Sequence, residues 1–430
     1  MSAADGSQVV VVGGCRTPFL KANTDFRQLT SYDLAREALK GLQQKTHLDP
    51  ELVDRVIMGT VISNMSTSNV AREALLGSGL SQKTPAFTVT QACISANVAI
   101  SCGVDLIRSG QARVVIAGGT ESMSDVPIKF RKKFRQRLVD AQRYRKPADW
   151  LGFFKGLKPS DLLPEIPSIS EFSTGLTMGE DCDRLAARIG VTRDEQDRFA
   201  VRSHQAAARA AAAGILAEEI IPVRQAPKFK QVDTDNGVRG DSSMEKLARL
   251  KPAFVKKYGT ITAANASYLT DGAAAVLLMD KKTALAHGYT PRATVCHYCF
   301  SAQDPGEELL LGPAYAISHV LEKAGLRLDQ IDVIELHEAF AGQVLANLKC
   351  LESPQFATDK LGRDQAIGTV PMDKLNVHGG SLSLGHPFGA TGARLVTTAS
   401  NRLHRENGRY ALVAACAAGA MGHAMILERY

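Results

Sequence analysis

Cys93 stands in "TVTQACISANVAI", between a polar approach and an apolar-periodic run, Ser95 to Ile107, that closes at Arg108-Ser109-Gly110. That pattern predicts a helix starting just after the cysteine. A thiol there would face the unpaired N–H groups and the positive end of the helix dipole, which favour a thiolate and hence a nucleophile. A small buried filler is the competing reading, because unpaired cysteines are often core residues. His386 lies in "NVHGGSLSLGHPFGATGARL", flanked by Gly385 and Pro387. A run so rich in glycine continues neither helix nor strand and leaves room for another molecule at the imidazole. Cys416, in "AACAAGAMGHAM", ends a buried apolar run, where doubly wound sheets place reactive groups; a core thiol is the alternative. In "ELHEAFAG", His337 and Glu338 end a further apolar strand.

These residues need elements to hold them, and an internal repeat supplies two sets. "SYDLAREALKGLQQKTHLDPELVDRVIMGTVI" reads as an amphipathic helix, a Leu-Asp turn and a strand from Val53 to Ile62. "PAYAISHVLEKAGLRLDQIDVIELHEAF" repeats that order, with its strand at Ile331 to Leu336. "RSGQARVVIAGGTESMS" is matched by "RENGRYALVAACAAGAMG", and Gly110 to Gly118 spans the same interval as Gly408 to Cys416. Helices alternating with buried strands in two copies predict an α/β protein with two mostly parallel or mixed sheets covered by helices. The reading divides the chain into a first half, 1–125 plus 256–282, an inserted loop or cap domain, 126–255, and a second half, 283–430. Within the insertion, "LLPEIPSISEFSTG" is a proline-marked loop, and "TRDEQDRFAVRSHQAAARAAAAG" is a helix from N-cap Thr192 to C-cap Gly214. "GTITAANASYLTDGAAAVLLMD" is expected as a strand, a glycine turn and an apolar strand completing the first half.

A chain of 430 residues, 45% of them apolar, can bury more than one core, and eight scattered cysteines suit reduced thiols better than a disulfide framework. No stretch nears the roughly 20 apolar residues of a membrane span, and "MSAADGSQVVVVGG" lacks the basic start of an export signal. The net charge of +7 is concentrated: the segment 129–158 carries eleven basic residues against Asp140 and Asp149, so the remainder is slightly acidic. Phe130, Phe134, Trp150, Phe153 and Phe154 interleave with those charges. The combination fits an amphipathic element on an anionic membrane surface or a partner subunit, against a merely solvated basic face. Nucleic acid could use the same charges but is not the expected partner. "CHYC" at 296–299 has no second pair at zinc-finger spacing, so no metal is expected.

"QACISA" at Cys93, "HEAFA" at His337, "GHPFGATGAR" at Gly385 and "CAAGAMGH" at Cys416, with "CRTPF" at Cys15 and "LKPAF" at Leu250, together resemble the thiolase family, in its order and over nearly the whole chain. The resemblance implies the thiolase fold, two βα-layered halves stacked α/β/α/β/α, and reversible cleavage of 3-ketoacyl-CoA by CoA to acetyl-CoA and an acyl-CoA shortened by two carbons. It implies that Cys93 takes up the acyl chain, that His386 activates it, and that Cys416 is the acid and base for the acetyl-CoA carbanion. His337 would serve the enolate oxygen, and backbone N–H groups of Cys93 and Ala418 would form the other oxyanion hole. Ser267 and Met178 match positions that touch pantetheine and the acyl pocket. CoA enters as substrate, with no bound cofactor. Most thiolases carry asparagine where His337 stands; histidine there, with "FSTGLTMGE" and the basic insertion, resembles the thiolase branch of fatty-acid oxidation complexes. That branch implies a homodimer or homotetramer, a hydratase/dehydrogenase alpha subunit as partner, and a site in the mitochondrial matrix, at the inner-membrane surface or in bacterial cytoplasm. Gly419 followed by Ala420 departs from the family's usual two glycines. Condensing enzymes of the same fold would use two histidines, or histidine and asparagine, in place of the second cysteine.

Overall fold

The two copies of the repeat fold alike. In the first, β1 (Val9–Arg16), β2 (Arg55–Gly59), β3 (Ala86–Val89), β4 (Val114–Glu121) and β5 (Thr270–Asp280) lie in the order β1-β5-β4-β2-β3. Strand β2 is parallel to β3 and β4, whereas β5 is antiparallel to β4 and β1. In the second copy, β6 (Ala293–Ala302), β7 (Val333–Leu336), β8 (Tyr410–Ala417) and β9 (Met421–Arg429) lie in the order β6-β9-β8-β7 with the same senses. A single parallel bridge, Ile334 to Leu375, marks the place that β3 holds in the first copy. The computed structural model describes residues 8–165 and 170–430; the N-terminal stretch 1–7 and the 166–169 part of the proline-marked loop lie outside the described residues.

Side-chain alternation along the strands builds the layers. Val114, Ile116, Leu277 and Met279 join an outer core with Leu34, Ala38 and Leu42 of helix Ser31–Thr46. Leu412, Ala414 and Ile426 join a second outer core with helices Gly312–Ala324 and Ala341–Glu352. Their alternates, Val115, Ala117, Val276, Val413, Ala415 and Met425, meet in a central core around helices Ser95–Arg108 and Thr391–Arg405. The order is helix, strand, helix, strand, helix. Helix Thr391–Arg405 is buried along almost its whole length, Arg394 and Arg402 included. Both guanidiniums reach the buried Glu335 of β7, at 3.4 Å and 2.8 Å.

Several expectations are corrected by this arrangement. The predicted two sheets are one hydrogen-bonded path of these nine strands, with the two-residue strand Leu20–Lys21 paired to β5 off the path, because β1 and β6 pair at Val10 with Thr294 and Val11 with Ala293. Strand Val53 to Ile62 shrinks to Arg55–Gly59, since the N–H groups of Val61 and Ile62 turn to the Glu121 carboxylate. No strand forms ahead of β5: Asp183 accepts from the N–H groups of Thr260 and Ile261, and Asn265 from that of Thr262, so side chains satisfy this backbone. The expected glycine turn at Gly272 lies inside β5. Helix Arg193–Ala212 starts at Thr192 with a capping box, yet Ala213 caps its end and Gly214 follows at φ +74°. Within the inserted segment, Leu185 and Phe199 pack into the second half's outer core.

Candidate active site

Three connections bring the chemistry together. Helix Ser95–Arg108 presents Cys93 just ahead of its first turn, after Ala92 in the left-handed region at φ +46°. The loop after β7 carries His337, and the glycine-rich loop before helix Thr391–Arg405 carries His386. That loop can lie against the sheet only because side chains are missing: a Cβ on Gly119 would stand 1.8 Å from the carbonyl oxygen of Gly389. Glu121, at the end of β4, ties the parts, accepting from Thr60 Oγ1 and from the N–H groups of Val61, Ile62 and Gly389.

The Cys93 sulfur and a ring nitrogen from each of His337 and His386 all lie within 4.8 Å of one another. They form the only trio of His, Cys, Asp or Glu side chains among the described residues close enough to share a metal ion. The rings are 4.0 Å apart between centroids. His386 Nδ1 is 2.6 Å from Thr391 Oγ1, His337 Nδ1 is 2.9 Å from Ser381 Oγ, and both Nε2 atoms are buried with no partner. Burial holds both imidazoles neutral, His386 down to about 3, aided by the nearby Arg394 charge. Burial also pushes the Cys93 thiol up to about 12, against the pull of N–H groups of Ala418 and of Cys93 itself, which point at the sulfur. The helix end therefore does not produce the expected resting thiolate, since desolvation outweighs it. Cys416 is the penultimate residue of β8, its thiol raised by burial and by the proximity of Cys93.

Ser267 and Met178 are held by contacts of the second half. The Ser267 N–H donates to the carbonyl of Ala339, beside the loop that follows His337, and Met178 opens helix Met178–Ile189 and packs on the apolar cluster that includes Cys416. Ala420, next to Gly419, adopts φ +53°, a left-handed backbone that a residue with a side chain seldom takes. Cys296 and Cys299 lie in β6 with separate contacts, near Glu428 and the Ala316 carbonyl. Sequence reasoning missed Glu121, Ser381, Thr391 and Arg394; the signal was a polar side chain inside each glycine-rich or apolar motif.

A thiol, an imidazole acceptor beside it, N–H donors at the sulfur and a second thiol make a site for acyl transfer through a thioester. The chain belongs to the thiolase family: it matches the thiolase N-terminal domain over residues 9–282 and the thiolase C-terminal domain over residues 289–429. Among its relatives, the mitochondrial trifunctional enzyme subunit beta of Homo sapiens is 53% identical, over 98% of this chain and 88% of that protein. A 3-ketoacyl-CoA thiolase of Serratia proteamaculans is 44% identical, over 98% and 97%. The crystal structure of human mitochondrial 3-ketoacyl-CoA thiolase in complex with CoA superposes with a TM-score of 0.84 at 32% identity, covering 99% of this chain and 98% of that one.

Proposed function

We propose that Cys93, His386, His337 and Cys416 carry out the thiolytic cleavage of 3-ketoacyl-CoA in fatty-acid β-oxidation. The protein is an acetyl-CoA C-acyltransferase, as its family and its 3-ketoacyl-CoA thiolase relatives support. His386 Nε2 takes the Cys93 proton as the sulfur attacks the 3-keto carbon. The C2–C3 bond breaks, its electron pair passes to the acetyl-CoA enolate, and Cys416 protonates C2. The enolate oxygen sits against the paired histidines. CoA, giving its thiol proton to the Cys416 thiolate, then attacks the acyl-Cys93 thioester, whose oxyanion is held by the N–H groups of Cys93 and Ala418; the C–S bond to Cys93 breaks and its sulfur recovers the proton from His386. The convergence of sulfur and two ring nitrogens within 4.8 Å carries this reading. CoA serves as substrate, Ser267 faces its pantetheine, and Met178 borders the acyl pocket. The test is CoA-dependent loss of 3-ketoacyl-CoA absorbance with acetoacetyl-CoA and with 3-ketohexadecanoyl-CoA. Faster turnover of the longer chain is expected, and activity on neither defeats the proposal.

The same reading keeps the division into two halves with the inserted segment 126–255. It also gives the chain a second copy of itself and a hydratase/dehydrogenase alpha subunit as partners, in a mitochondrion or bacterial cytoplasm; one relative's name says mitochondrial and another relative is bacterial. The exposed edge of β3, with Phe87 partly open, supports pairing with the second copy. Segment 129–158 is assigned to an anionic membrane surface. It folds as short helices Lys132–Ala141 and Pro147–Phe153, joined by edge-to-face contacts from Phe130 to Phe134 and from Phe134 to Phe153. Val139, Trp150, Leu151 and Phe154 remain exposed among the basic side chains. Changing Lys132, Arg135, Arg143 and Lys155 together to Glu should abolish co-sedimentation with cardiolipin-containing vesicles and leave acetoacetyl-CoA thiolysis within twofold. Unchanged sedimentation would refute the assignment.

A further inference from the structure

The two active-site rings become distinguishable once hydroxyl protons are counted. Thr391 Oγ1 donates to the carbonyl of Pro387 at 3.1 Å, as a helical threonine commonly does to the preceding turn. Its single proton is thereby committed, so the 2.6 Å contact with His386 requires the proton on Nδ1 of the ring. His386 Nε2 is left as a bare acceptor. Around His337 the order is reversed. Arg394 Nη2, which can only donate, gives a hydrogen bond to Ser381 Oγ at 3.2 Å. Among the described residues the Ser381 hydroxyl has no acceptor other than His337 Nδ1, 2.9 Å away, so its proton turns there and the ring's own proton belongs on Nε2.

We infer that Ser381, held by Arg394, is a positioning residue that fixes His337 as an Nε2–H donor, opposite in tautomer to the His386 acceptor beside it. Both Nε2 atoms are buried and without a protein partner, and one nitrogen of each ring lies within 4.8 Å of the Cys93 sulfur. The two rings thus divide the work, one offering a lone pair to accept the thiol proton and the other an N–H to hold the substrate oxygen. Two rings in the same tautomer would supply two bases and no donor, or two donors and no base. Arg394 is itself fixed from the other side by Glu335 at 3.4 Å, so the chain of contacts runs from β7 through helix Thr391–Arg405 to the ring. The proposal rests on the thiolase reading for the purpose of the donor, though not for the tautomer itself.

The tautomers are read directly by long-range ¹⁵N–¹H correlation spectra of the full-length protein labelled at histidine, with signals assigned by His337→Asn and His386→Asn. The expected spectrum has His337 protonated on Nε2 and His386 on Nδ1; His337 protonated on Nδ1 overturns the inference, whether or not thiolysis is observed. Kinetically, Ser381→Ala should lower kcat by about 10- to 100-fold with KM within threefold, and Ser381→Thr should restore most of it. Asparagine presents an N–H without any tautomer, so Ser381→Ala in the His337→Asn background should cost less than threefold more. An equal cost in both backgrounds would make Ser381 a packing residue and refute the positioning role.

Discussion

Cys93→Ala should reduce thiolysis of every 3-ketoacyl-CoA by at least about 10⁴-fold while CoA affinity stays within severalfold, because the sulfur forms the covalent bond and the methyl group disturbs little else. Absorbance assays and calorimetry with CoA measure the two quantities, and turnover within tenfold of the parent would remove Cys93 from its role. The pH behaviour of the native cysteine follows from the same site. With the thiol raised to about 12 and His386 lowered to about 3, the resting pair is neutral thiol and neutral imidazole. The thiolate fraction then grows about tenfold per pH unit over the whole accessible range. Alkylation of Cys93 by iodoacetamide should accordingly keep rising through pH 9, whereas a plateau near pH 6 to 7 would reveal a preformed ion pair.

Glu335→Gln should cost about 3 to 5 kcal/mol of stability, the range for removing one partner of a buried ion pair. Glu335 is fully buried between Arg394 and Arg402, also fully buried. Arg402 keeps Glu406 at 2.7 Å, but the Arg394 guanidinium has no other carboxylate partner among the described residues. Denaturant unfolding at neutral pH measures the effect as a lower midpoint. A shift of only a few tenths of a kcal/mol would mean that the arginine charge is compensated elsewhere.

Much of this architecture is legible in the residues. The paired runs ending at Glu121 and Ala417 form β4 and β8, and the run after Cys93 forms its helix, because long apolar periodicity dominates local choice. What escaped is decided by side chains that act on distant backbone. Asp183 takes over the N–H groups of Thr260 and Ile261, 77 and 78 residues away, and no pattern near residue 260 announces it. The joining of two sheets depends on just two residue pairs between β1 and β6. At the site, motif spacing points to the two thiols and two imidazoles. It does not give their protonation, since the burial that reverses the expected thiolate comes from the packed halves and not from the helix that bears the cysteine.

The centre is assembled from both copies of the repeat. Cys93 comes from the first half, whereas His337, His386, Cys416 and the N–H of Ala418 come from the second. During synthesis the nucleophile leaves the ribosome more than 300 residues before the last of these partners. A nascent or truncated chain holding only the first copy would therefore carry the cysteine without an acceptor for its proton or an oxyanion hole for its product. On the proposed mechanism, reactivity toward thioesters would be withheld until the two halves have closed on each other, and completion of the polypeptide would itself be the activating step.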